Sequence, residues 1–128
     1  VDKFIGDCIM AVFVDANDAV GAARQALLAL ETLNTQRAED GEGTVAVRIG
    51  ISSGKVIQGN VGTEDRKDLS VIGDVVNTAA RLQPLAKPNS ICISESTYAR
   101  LKNVEGFECI GPLKVKNKAE SVVAYMYP

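Results

Sequence analysis

The order in which short apolar runs alternate with two stretches of helical period most constrains what this chain can fold into. Val1 to Ile5 and Cys8 to Phe13 flank the pair Gly6-Asp7. A Gly-Asp pair between two such runs favours a tight antiparallel turn, so a hairpin with Asp7 near its tip is expected. Val20, Ala23, Leu27, Leu30 and Leu33 then recur at helical spacing. Asn17 or Asp18 can accept hydrogen bonds from the free amides of a helix start, which predicts a helix from about Asp18 to Arg37. Glu39-Asp40-Gly41-Glu42-Gly43 breaks that helix, and Val45, Val47, Ile49 and Ile51 alternate with smaller or polar residues as a half-buried strand does.

Gly54 and Lys55 interrupt this strand before Val56 and Ile57 resume it, which predicts a second hairpin ending near Gly59-Asn60-Val61-Gly62. Leu69 to Ile72 reads as a further strand. Asp74 can cap a helix whose buried side is Val75, Val76, Ala79, Ala80 and Leu82, before Pro84. The remainder offers a strand at Ser90 to Ile93, a short helix capped by Ser94, and strands near Phe107 to Ile110 and Val122 to Tyr127. Strands, helix, strands, helix and further strands, with no internal repeat, predict an α+β sandwich in which helices pack on one sheet.

At 128 residues with 46% hydrophobic side chains, the chain suits one domain with one core. Its 14 basic and 16 acidic residues nearly balance, so no basic field covers the surface, and nucleic acid is not expected as a partner. No apolar stretch approaches the roughly 20 residues of a membrane-spanning helix, so this segment is expected to be soluble, without direct membrane insertion. The three cysteines, Cys8, Cys92 and Cys109, lack CxxC spacing and lie in or beside apolar runs, which predicts buried free thiols in a reducing cytosol. The absence of histidine removes an imidazole base, a Ser-His-Asp triad and His-ligated zinc. Catalysis here would need carboxylates, Lys, Arg, hydroxyls or a bound metal.

Asp7 at a hairpin tip would project a carboxylate clear of the sheet, where it could hold a hard cation or serve only as turn chemistry. Lys3 is four residues earlier and on an extended strand points to the same face. Asn77 and Arg81, four apart on the second helix, share one side and offer an amide and a forked guanidinium, as a ribose-phosphate requires; a merely solvated helix side has the same spacing. Gly50-Ile51-Ser52-Ser53-Gly54-Lys55 is one residue too short between its glycines for a phosphate loop, and Val56 stands where the metal-binding hydroxyl would be.

Read together, the strings KFIGDCIMAVF, VRIGISSGKVIQGNVG, SVIGDVVNTAARL, ICISESTY and LKVKNKAESVVAY resemble, in order and spacing, the catalytic domain of class III nucleotidyl cyclases over essentially the whole chain. The resemblance favours an adenylate cyclase. It implies a palm-type, ferredoxin-like fold over residues 1–128, a head-to-tail homodimer with active sites at the interface, and conversion of ATP to 3′,5′-cyclic AMP and pyrophosphate in intracellular signalling. Two divalent ions, Mg2+ or Mn2+, serve each site in such a domain.

Carried over residue by residue, the resemblance makes Asp7 a metal ligand, Lys3 a reader of adenine and Ser70 its partner in purine recognition. A Lys and Ser pair fits adenine better than the Glu and Cys usual for guanine, because Lys donates to a ring nitrogen where guanine presents a donor. Asn77 and Arg81 would orient ribose and stabilise charge on the reacting phosphate. Lys118 would contact the terminal phosphates, with Lys55 assisting from the other subunit. The hydroxyl at Ser70 also resembles the subgroup stimulated by bicarbonate.

A complete domain of this kind begins with a strand bearing another metal aspartate, followed by two helices, and none of these is expected within residues 1–128. The chain is therefore expected to be an N-terminally incomplete, cytoplasmic domain, nearly inactive alone, whether or not its parent is membrane-anchored upstream. The competing expectations are a guanylate cyclase, a non-catalytic cyclase-like module that regulates or dimerises, and a generic ferredoxin-like binding domain.

Overall fold

The computed structural model describes residues 3–5, 8–55, 57–60, 69–113 and 122–127. Lys3–Ile5 (β1) pairs antiparallel with Cys8–Met10 (β2), Ile5 opposite Cys8, as the Gly-Asp spacing predicts. Asp7, expected at the tip, lies outside the described residues.

The first helix, α1, runs from Ala16 to Glu39, two residues longer at each end than its periodicity suggests. Its cap is Asp15, and neither Asn17 nor Asp18. The Asp15 carboxylate accepts from the Asn17 backbone N–H at 2.7 Å and from its side-chain amide at 3.0 Å. These bonds to the charged form hold the Asp15 carboxyl below the usual carboxylate range against the opposing effect of desolvation, with the charge of Lys102 as the least of the contributions. Asn17 reaches further along the chain, because its amide also donates to Arg100 O and its carbonyl accepts from Lys102 N at 2.8 Å. Those two bonds tie the start of α1 to a segment more than eighty residues away.

Four strands form the main sheet in the order β3-β6-β8-β7. Arg48–Ile51 (β3) runs parallel to Ser90–Ser94 (β6), and Glu108–Leu113 (β7) and Val122–Tyr127 (β8) complete it antiparallel. Strand β6 is buried along its whole length, as expected of an interior strand flanked on both edges and covered on both faces. Strand β3 begins at Arg48, later than the alternation from Val45 suggests. Val45 and Val47 are bound by side chains, the Val45 N–H to Asn34 Oδ1 at 2.7 Å and the Val47 N–H to Asn89 Oδ1 at 3.0 Å, so those donors are not offered to a strand.

The cores on the two faces of this sheet follow from strand alternation. Val20 and Ala23 of α1 meet Ile91, Ile93 and Phe107, with Leu27, Ile49, Tyr98 and Tyr125 packed around them. On the other face Cys92 and Ala124 meet Leu82 and Ala86, with Met126 against them. Leu33, expected in the helix's buried stripe, is exposed. Arg24 caps the first core: its guanidinium lies 4.8 Å from the Tyr127 ring centre and 5.4 Å from that of Phe107, and Nη2 donates to Glu105 O.

The remaining pieces lead to the second helix. Ile57–Asn60 (β4) pairs antiparallel with Leu69–Ile72 (β5) as a separate two-stranded sheet. Gly59 and Asn60, expected in a turn, are strand residues opposite Ser70 and Leu69. Helix α2 spans Asp74–Leu82, followed by a 3-10 turn at Gln83–Leu85. Asp74 is its first residue and Gly73, with φ 151°, is the capping position, without a side-chain cap. Asp74 still suits that place, since a carboxylate in the first turn opposes the positive end of the helix dipole. The buried positions of α2 are Thr78 and Leu82, whereas Ala80 is exposed. Glu95–Tyr98 (α3) is capped by Ser94 as expected, its hydroxyl accepting from Thr97 N.

All three thiols are free, but only Cys92 is buried; Cys8 and Cys109 are exposed. Cys8 lies on the separate β1–β2 pair and Cys109 on β7 at the end of the main sheet, whereas Cys92 lies on the interior strand β6. An apolar run alone does not say which strands the sheet places at its edge.

Candidate functional site

Four of the expected site residues, Ser70, Asn77, Arg81 and Lys55, lie on α2 and the segments next to it in the chain. Ser70 lies in β5 opposite Gly59, and three residues after it Gly73 turns the chain into α2. Asn77 and Arg81 follow one helical turn apart, Asn77 exposed and Arg81 half-buried in the last turn. Lys55, exposed, sits between the end of β3 and the start of β4. Two glycines bring that segment against α2. A Cβ on Gly50 would fall 2.5 Å from Ala79 O and from Gln83 N, and one on Gly54 would fall 2.6 Å from Val75 Cγ2. Backbone therefore packs directly on the helix at Gly50, which no larger residue would permit without moving it.

Lys3 lies opposite Met10 on the β1–β2 pair, which among the described residues is a separate sheet. Asp7 and Lys118 lie outside the described residues. Among the described residues no group of three or more Asp, Glu, Cys or His side chains could hold a metal ion. The hard carboxylate oxygens of the candidate Asp7 fit Mg2+ or Mn2+ in kind.

What the α2 region can do chemically follows from its groups. A half-buried guanidinium beside an exposed amide, one turn apart, offers forked donors to a phosphate and an amide to a hydroxyl. Lys55 adds a mobile point charge on the neighbouring turn. Reading the sequence alone misses the hydroxyls of Ser53, Ser94, Ser96 and Thr97, which meet where β3 ends and α3 begins. Two hydroxyl-rich stretches, Ser52-Ser53 and Ser94 to Thr97, are their only trace there, and nothing in the sequence says that they touch.

Residues 3–127 match the family described as the adenylate and guanylate cyclase catalytic domain. The chain belongs to this family. An adenylate cyclase of Anabaena cylindrica is 39% identical over 136 residues, an alignment covering 98% of this chain and 27% of the relative. An adenylyl cyclase structure from P. aeruginosa superposes with a TM-score of 0.84 at 30% identity, covering 98% of this chain and 69% of that one. The guanylate cyclase domain of a protein from Catenaria anguillulae, solved in complex with GTP, gives a TM-score of 0.80 at 28% identity, covering 99% and 70%. The cyclase fold is thus the fold of this chain, and the chain spans about a quarter of the length of the Anabaena cyclase.

Among the described residues, no helix of this cyclase domain is long and apolar enough to cross a membrane.

Proposed function

We propose that this domain forms 3′,5′-cyclic AMP and pyrophosphate from ATP. The observation that carries the reading is the pairing of Asn77 and Arg81 one turn apart on α2, directly after the strand that holds Ser70, in a chain of this family. Asn77 orients the ribose, Arg81 neutralises charge that develops on the α-phosphate, and Lys55 and Lys118 take the terminal phosphates. Lys3 and Ser70 read the purine. The reaction is an internal phosphoryl transfer in which the ribose 3′ oxygen gains a bond to the α-phosphorus as the bond to pyrophosphate breaks.

Asp7 holds a divalent cation in this reading, and such an ion supplies charge neutralisation on the phosphate oxygens. The active unit is a head-to-tail dimer in which Lys55 serves the partner's site, placed in the cytoplasm where ATP is available. The hydroxyl of Ser70 is the candidate for a bicarbonate response.

The test compares the chain alone with the chain joined to the segment that precedes the matching region in the Anabaena relative. Each is incubated with Mn2+ and either ATP or GTP, and product is identified by mass spectrometry. Cyclic AMP from the extended form, with little from the bare chain, is expected. Lys3→Glu should lower ATP turnover about tenfold and raise the share of cyclic GMP, one misplaced hydrogen bond being worth about that factor. Absence of cyclic nucleotide from the extended dimer favours a non-catalytic regulatory module, and cyclic GMP as the main product favours a guanylate cyclase. The second outcome has some support in the GTP complex of the Catenaria neighbour.

A further inference from the structure

A closed set of hydroxyl hydrogen bonds ties the turn after β3 to the start of α3. Ser53 Oγ and Thr97 Oγ1 are 2.7 Å apart, Thr97 Oγ1 and Ser94 Oγ 3.1 Å, and Ser94 Oγ and Ser96 Oγ 2.8 Å. Ser96 Oγ donates to Ser53 O at 2.9 Å, which returns the chain of bonds to the residue where it began. The Thr97 N–H donates to Ser94 Oγ as the cap of α3. Thr97 is fully buried and Ser94 is 4% exposed. Each hydroxyl carries one donor and two acceptor sites, so the ring satisfies its own members. Buried hydroxyls are costly unless paired, and a ring whose members all depend on one another favours a single arrangement.

What the ring holds is the segment that lies on the catalytic helix. Gly54, the residue after Ser53, has φ 154° and its α-carbon faces Val75 Cγ2 in the first turn of α2. Gly50, three residues before Ser53, faces Ala79 O and Gln83 N at the other end of the same helix. Helix α2 is therefore seated on β3 and its following turn at two places. The turn in its own right is exposed at Gly54 and Lys55, with few apolar groups to fix it. The hydroxyl of Ser53 supplies the fixed point, and Thr97 supplies the fixed point of Ser53.

We propose that Thr97, acting through Ser53, is a positioning residue for the cyclase reaction. It holds residues 53–55 against the first turn of α2, so that Asn77 and Arg81 keep their place relative to the sheet. This rests on the reading of α2 as the catalytic helix. The Thr97 methyl serves packing and the hydroxyl serves position, and the two are separable because Val keeps the shape and Ser keeps the hydroxyl.

The experiment uses Thr97→Val and Thr97→Ser in the protein that carries this domain at its full length, with two readouts. Amide hydrogen exchange at residues 52–55 and in the first turn of α2 should quicken about tenfold in Thr97→Val, with α1 unchanged, and return to within about threefold of wild type in Thr97→Ser. In cyclic AMP formation, Thr97→Val should lose about tenfold in kcat with KM for ATP within about twofold, and Thr97→Ser should recover most of it.

Unchanged exchange at residues 52–55 and in α2 overturns the proposal. So does quickened exchange that spreads equally through α1, or a Ser variant as impaired as the Val variant. If wild type forms no cyclic nucleotide, the reading of the reaction fails, and the exchange readout still decides whether the ring holds α2. Should Thr97→Val not fold, Ser53→Ala opens the same ring from its half-buried side and is judged by the same outcomes.

Discussion

At the scale of single residues, the three thiols give a direct measure of what the sheet buries. Cys92 is fully buried among Leu82, Ala86 and Ala124, whereas Cys8 and Cys109 are exposed. Titration of the native protein with a chromogenic disulfide near neutral pH should show two thiols reacting quickly and a third only after unfolding; three fast thiols would contradict the packing. Asp15 gives a second test. Its carboxyl is held low by the Asn17 amides, so its ionised form favours the fold above the ordinary carboxylate range, and that contribution fades as acid titrates the folded group. Asp15→Ala should lower the urea midpoint at neutral pH, and the gap between the two proteins should narrow as the pH falls below the ordinary carboxylate range. The sequence points to Asn17 or Asp18 for this cap, because any of several neighbouring polar residues can serve it locally. Asp15 serves, and Asn17, whose amide also donates to Asp15, is bonded to Arg100 and Lys102, a contact across more than eighty residues that no local pattern encodes.

At the scale of elements, the seat of α2 on β3 is a contact of backbone against backbone. At Gly50 an added methyl would meet Ala79 O and Gln83 N, both backbone atoms at 2.5 Å, so the helix itself would have to move. Gly50→Ala should cost about 1–3 kcal/mol in urea unfolding, the usual range for overpacking, and should reduce cyclic nucleotide formation more than a surface substitution of equal cost. Gly21→Ala is the control, since an added Cβ there meets nothing within 4 Å and replaces a mid-helix glycine. A stability loss at Gly50 no larger than at Gly21 would contradict the seat. The elements themselves are largely readable in the sequence. Strands β1, β2, β5, β6, β7 and β8 and all three helices stand where periodicity and turn residues put them, within a few residues. Strand β4 reads from sequence as ending in a turn at Gly59-Asn60, because glycine marks turns and bulges alike. Only its pairing with β5 shows that the glycine is there to lie opposite Ser70. The start of β3 differs for another reason, since the side chains of Asn34 and Asn89 take the backbone donors of Val45 and Val47. The motifs name the candidate site residues; that the segment bearing Lys55 lies against the helix bearing Asn77 and Arg81 is seen only in the close approach at Gly50 and Gly54.

At the scale of the whole molecule, the two cores lie on opposite faces of one sheet, and β6 contributes to both: Ile91 and Ile93 to one, Cys92 to the other. A change at Cys92 is therefore felt by α2 and its following turn through Leu82 and Ala86, and by β8 through Ala124. Burial pushes the Cys92 thiol up to about 11, from 9.0 for an ordinary cysteine. The raised value means that the fold favours the protonated thiol. Its contribution is fully present below pH 9.0, where the unfolded chain also keeps the proton, and it is lost between 9.0 and about 11 as the unfolded chain alone gives the proton up. Stability should thus fall more steeply with rising pH in wild type than in Cys92→Ala, the difference reaching on the order of 2 kcal/mol across that interval. Tyrosines and lysines titrate in the same range, but they are common to both proteins, so the difference between the two curves isolates the thiol. Urea unfolding at several pH values under reducing conditions measures it. Parallel curves would mean that Cys92 reaches water in the folded state, and the sheet that seats α2 would then be more open at its centre than its packing implies.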